Sequence, residues 1–109
     1  MATHHASPNE IVDLIAWARD LPAEKTKVIV KTDEMELARL VLPAGNELPD
    51  HKVPGPVVIH CIKGRIELTA MGVTKALTSG QLLYLMPGEL HSVRAISDSV
   101  ILLQIIFKV

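Results

Sequence analysis

Gly45–Gly64, GNELPDHKVPGPVVIHCIKG, and Gly80–Ala95, GQLLYLMPGELHSVRA, share one layout. Each carries a glycine, a strand-like run and a histidine at a fixed offset. Five residues separate Gly45 from His51. Five also separate Gly80 from Met86, and His91 follows Met86-Pro87-Gly88 after two more. The two segments read as halves of one barrel site, with His51 and His91 meeting from separate strands.

The flanking sequence agrees. From Lys25 onward the apolar period is two: Thr26–Lys31 and Glu36–Val41 alternate in part. Further strands are predicted at Val57–Ile62, Arg65–Ala70, Val73–Leu77, Leu82–Met86, His91–Ala95 and Val100–Phe107. Pro43, Gly45, Pro54-Gly55-Pro56, Gly64, Met71-Gly72, Ser79-Gly80 and Pro87-Gly88 punctuate them. Short strands at this spacing indicate an all-β sandwich or barrel. The last strand, VILLQIIF, is apolar on both faces, so both faces require cover. One lines the barrel. The other needs a second layer, the N-terminal helix or another subunit, and a β-sandwich homodimer is the simplest solution.

Residues 1–6 read as a disordered terminus, in which His4-His5 is an inert mobile pair. Ser7-Pro8-Asn9-Glu10 then has the form of a helix start, with Ser as cap, Pro at the first helical position and Glu three residues on. Ile11, Leu14, Ile15 and Ala18 follow at helical spacing, so one short amphipathic helix is expected to about Asp20, ended by Leu21-Pro22. Trp17, at the edge of that stripe, reads as a packing anchor. Residues 7–109 form a single domain.

The chain has 109 residues, 49% of them apolar, yet only one Trp, one Tyr and one Phe. The core must be aliphatic. Eleven Lys and Arg against 12 Asp and Glu leave a net charge of -1, which gives no basic footprint for nucleic acid. A lone cysteine, Cys61, excludes an internal disulfide and suits a reducing cytoplasm. The polar start MATHHASPNE has no apolar signal core, and no run reaches the ~18 apolar residues of a membrane helix. A soluble cytoplasmic protein is expected.

The two segments resemble the cupin family of small jelly-roll barrels. Its first motif reads glycine, five residues, HxH, three or four residues, glutamate, six residues, glycine. Its second reads glycine, five residues, PxG, two residues, histidine, three residues, asparagine. Gly45, His51 and Gly64 match the first, and Gly80, Pro87-Gly88 and His91 fit the second. The resemblance implies a double-stranded β-helix, here preceded by one helix. It also implies, in members with the full set, three histidines and a glutamate holding iron, manganese, nickel or zinc. This chain departs from that set. Val53 stands at the second histidine, Val57 at the glutamate, Met86 at the PxG proline and Ala95 at the asparagine. Only His51 and His91 survive as donors. The Pro54-Gly55-Pro56 segment looks like that of short single-domain cupins with a degenerate first motif.

Strand alternation tells which side chains share a face. If His51 points inward, so do Val53, Val57, Ile59 and Cys61, and from His91 so do Val93 and Ala95. The expected pocket is therefore aliphatic (Val53, Val57, Ile59, Cys61, Val93), with His51 and His91 at its mouth. Two imidazoles leave at least two positions open on a tetrahedral ion, and a non-heme iron site needs a carboxylate beside them. Glu89, in the turn before His91, is the best substitute, and Glu47, on the loop before His51, is weaker. Asp50 should point away. His60 falls on the outer face as an interface or half-exposed residue, although a bulge after Pro56 would turn it inward as a third donor. Cys61 reads as a small buried hydrophobe. Gln104 is assigned to a dimer interface, Tyr84 to packing, and Lys63, Arg65 and Arg94 to a solvated surface.

No Gly-rich phosphate loop, zinc-finger spacing or nucleophile elbow is present. Three readings follow. One is a non-catalytic small-molecule-binding cupin without a certain cofactor. Another is a metal-dependent enzyme of dioxygenase or isomerase type, using His51, His91 and a carboxylate. The third is an assembly or sensory module with a vestigial pocket.

Overall fold

The alternation that begins at Thr26 becomes nine strands among the described residues, 6–12 and 26–107 of the computed structural model. They are β1 (Thr26–Lys31), β2 (Met35–Leu42), β3 (Glu47–His51), β4 (Val57–Lys63), β5 (Arg65–Ala70), β6 (Val73–Thr78), β7 (Gln81–Leu85), β8 (His91–Ala95) and β9 (Ser99–Ile106). A five-stranded sheet has the order β1-β2-β9-β4-β7, and a four-stranded sheet the order β3-β8-β5-β6. Every pairing is antiparallel. The chain changes sheet at every connection except β1–β2 and β5–β6, which is the winding of a jelly roll.

Three of these corners hold the glycines that open or close the two sequence segments. Gly45, Gly64 and Gly80 have φ of 86°, 94° and 88°, a left-handed backbone that residues with a Cβ adopt at a cost. Gly64 is also crowded: a Cβ there would overlap Ser99 and the Asp98 carbonyl. The corner is locked by hydrogen bonds. Arg65 N donates to Ser99 Oγ at 3.1 Å, and the buried Ser99 hydroxyl lies 3.1 Å from Arg65 O and 2.8 Å from Ser97 O. Its polar atoms are thereby satisfied inside the fold.

The core lies between the sheets. Val57, Ile59 and Cys61 of β4 are buried against Ile66 and Leu68 of β5 and Val93 of β8. The register fixes this phase. Ile59 pairs with Leu103, and Cys61 with Ile101, so β9 contributes alternate residues to the same interior. Burying each such aliphatic side chain contributes about 1.5–3 kcal/mol. The other residues of β9 face outward: Leu102 pairs with Arg39 and His60, and Gln104 with Leu37 and Val58. Arg39 and Val100 on that side are buried, so the strand is covered on both faces at its beginning.

Two expectations need correction. The segment holding Glu47 is strand β3, not a loop. Pro49 hid it, since proline removes a ladder donor. It is tolerated because β3 is an edge strand with a register shift between Leu48 and His51. At the N-terminus, the helix expected from Ser7 does not start there. Pro8 and Asn9 form a turn, and Asn9 has φ of 71°, which a right-handed helix cannot accommodate. Half of the capping pattern survives without its helix: Ser7 N donates to Glu10 Oε1 at 2.8 Å. Ala6 N donates to Ile29 O of β1 at 2.6 Å. Residues 13–20 of that helix, Trp17 and His4-His5 lie outside the described residues.

Candidate ligand site

β3 and β8 pair so that His51 stands directly opposite His91. The ring centroids are 4.2 Å apart and the planes tilted by 56°. His91 is only 2% exposed, and His51 is half-buried. Both rings are held the same way. His51 Nδ1 lies 3.0 Å from Pro49 O, and His91 Nδ1 lies 3.0 Å from Glu89 O, in each case the carbonyl two residues back. A carbonyl only accepts, so these bonds require a proton on Nδ1. In the neutral ring Nε2 is then a bare acceptor. The pair presents two such acceptors side by side.

A separate cleft of about 320 Å³, lined by neither histidine, lies at the seam where the edge strands β6 and β7 of the two sheets approach. Leu68 and Ala70 of β5, Val73 and Lys75 of β6, and Leu83 and Leu85 of β7 line it. Met71 and Tyr84 stand at its rim. Ala70 pairs with His91 across β5 and β8, so the cleft and the imidazoles share one end of the sandwich. The surface is apolar apart from Lys75 and the Tyr84 hydroxyl, which donates to Met86 Sδ at 3.0 Å.

The expected pocket residues take distinct places. Val57, Ile59, Cys61 and Val93 belong to the packed core, with Val53 half-buried against its edge. None of them lines the open volume, which lies on the β6–β7 side. Its lining residues were not singled out from the sequence. A signal for them existed: Val73, Lys75 and Leu77 alternate on one face of β6, which puts a lysine in phase with apolar neighbours. His60 pairs with Leu82 and Leu102 on the outer side of the five-stranded sheet. Glu89 is a half-buried residue just after the Pro87-Gly88 turn, and its backbone carbonyl meets the His91 ring. Burial pushes the Cys61 thiol up from its ordinary value of 9.0, which favours the neutral thiol over the thiolate. Its Sγ lies 3.6 Å from the carbonyls of Lys63 and Gly64.

A family profile described as a cupin domain matches residues 38–107. The chain belongs to the cupin family. No curated protein sequence matches it. Among solved structures, a conserved protein of unknown function from Streptococcus pyogenes superposes with a TM-score of 0.81 at 19% identity, covering 100% of this chain and 97% of that one. A cupin superfamily protein from Desulfitobacterium hafniense also gives 0.81, at 11% identity over 99% and 100% of the two chains. KdgF from a Halomonas species gives 0.70 at 16% identity over 77% and 78%. At these identities the likeness is one of fold.

Many cupins hold a metal ion where this cupin places His51 and His91. The residues present do not fit one. Among the described residues no three His, Cys, Asp or Glu side chains are grouped to hold an ion. Val57, where the family's glutamate would stand, is buried among aliphatic neighbours. Two imidazoles alone leave half of a tetrahedral shell to solvent.

Proposed function

We propose that this cupin binds a small molecule without transforming it, at the His51–His91 pair and the adjoining cleft. One observation carries the reading: two Nδ1-anchored imidazoles with bare Nε2 acceptors stand at the same end of the sandwich as an apolar volume of about 320 Å³, linked through the Ala70–His91 pairing. A few fixed polar atoms on a mostly apolar concavity are the usual composition of a small-ligand site. The ligand would offer hydrogen-bond donors to the imidazoles and hydrocarbon to the cleft. A fragment screen followed by amide chemical shifts tests it. Hits should move His91, Ala70 and Leu85 together, and His91→Ala should weaken them while leaving the fold intact. A screen without such hits would favour the vestigial-pocket module. The metal-dependent dioxygenase or isomerase reading would need a third donor beside His51 and His91, and no group of three His, Cys, Asp or Glu side chains is found among the described residues.

We also propose that the outer face of the five-stranded sheet pairs with a second copy. Leu82 and Tyr84 are more than half exposed there, beside half-buried Val58, His60 and Leu102. Their mutual burial would remove a contiguous apolar surface from water. The buried, unpaired Cys61 suits a reducing cytoplasm.

A further inference from the structure

Lys75 is the one charged residue lining the β6–β7 cleft. It pairs with Leu68, which is 2% exposed, so its position in β6 is on the interior face of the sandwich. Its neighbours on that face are Val73 and Leu77, and no acidic side chain among the described residues pairs with it. Lys75 is itself exposed, so its ammonium stands in solvent at the mouth of the cleft, where a single positive charge beside an apolar lining favours an anion over a neutral ligand. The cleft also bears a second unusual feature. Met71 at its rim has φ of 55° and precedes Gly72 at 73°, the two-residue turn for which Asn-Gly is preferred. A methionine there is backbone strain at a place where its soft side chain lines the volume.

We propose that the cleft selects compact apolar anions, such as aryl or branched alkyl carboxylates. The carboxylate would sit at Lys75 and the hydrocarbon against Leu68, Leu83 and Leu85 under Met71. This rests on the small-molecule reading above and adds the charge of the ligand. An inward lysine on an edge strand has another use, which is to block strand-to-strand aggregation. That use involves no ligand, and the test separates the two.

The probes are 2-naphthoate and its neutral isostere 2-naphthamide, titrated into the full chain and followed by amide shifts of Ala70–Lys75 and Leu83–Leu85. The acid should bind at least about fivefold more tightly than the amide, and added salt should narrow the gap. Lys75→Met should abolish the difference by weakening the acid alone, and Lys75→Arg should keep it. Lys75→Gln replaces the Met variant if that aggregates, and the acid–amide comparison in the wild type needs no variant. Equal binding of both probes would overturn the charge selection and leave the small-molecule reading standing. If neither probe moves these amides at millimolar concentration, both fall. A Lys75→Met protein that aggregates while the wild type ignores the acid's charge would assign the lysine to edge protection.

Discussion

His51 and His91 face one another across the β3–β8 pair, each donating Nδ1–H to the carbonyl two residues before it. The two rings are thus fixed in the same tautomer by the same local device, one on each strand. Their ring centroids are 4.2 Å apart at the end of an aliphatic sandwich, and each ring keeps its Nε2 lone pair.

That arrangement has a spectroscopic consequence. In protein labelled with 15N on the imidazoles, at a pH where both are neutral, His51 and His91 should each show a protonated Nδ1 and a bare Nε2. The opposite tautomer in either ring would remove the paired acceptors and with them the proposed site.

Metal content tests the enzyme alternative directly. Protein made without an affinity tag and without chelator should carry less than about a tenth of an equivalent of iron, manganese, nickel or zinc, because two imidazoles hold such ions weakly. Stoichiometric metal would show that a third donor exists.

Cys61 should impose an alkaline limit on stability. Burial favours its neutral thiol, so the folded-state pKa lies above the ordinary 9.0. Its contribution is then full below about pH 9 and lost as pH rises toward the folded value, because the unfolded chain ionises first. Urea midpoints should fall above pH 9 in the wild type and fall less in Cys61→Ala. Equal slopes in the two proteins would deny the thiol this role.

Two corner glycines should differ sharply in their tolerance of alanine. Gly80→Ala meets open space and carries only the left-handed backbone penalty, about 1 kcal/mol. Gly64→Ala adds overlap with Ser99 and the Asp98 carbonyl, raising the cost to about 2–4 kcal/mol. Denaturant unfolding of both variants measures the gap, and equal losses would mean that the corner relaxes.

Light scattering at micromolar concentration checks the paired outer face. The wild type should have about twice the chain mass of 11.9 kDa, and Leu82→Lys should shift it toward a single chain. A wild-type mass near 11.9 kDa would exclude the dimer.

Much of the fold was legible because period-two alternation and glycine punctuation are local properties. β4, β5 and β8 fall where Val57–Ile62, Arg65–Ala70 and His91–Ala95 were read. β3 escaped notice because Pro49 contradicts a strand everywhere except at an edge, and edge position is a property of the assembled sheet. The false helix start has the converse origin. Ser7-Pro8-Asn9-Glu10 satisfies every local rule, yet Asn9 adopts a left-handed turn and Ala6 bonds to Ile29, a residue far along the chain.

The order of amino acids alone determined the strands, the corners that need glycine and the two matched histidines, since each depends on neighbours within a few residues. Only the packed sandwich decided where empty volume remains. The alternation of Val57, Ile59 and Cys61 put them inside, but whether an interior position faces a ligand or another side chain depends on what the opposite sheet supplies. Here the opposite sheet fills their level and leaves space at the β6–β7 seam.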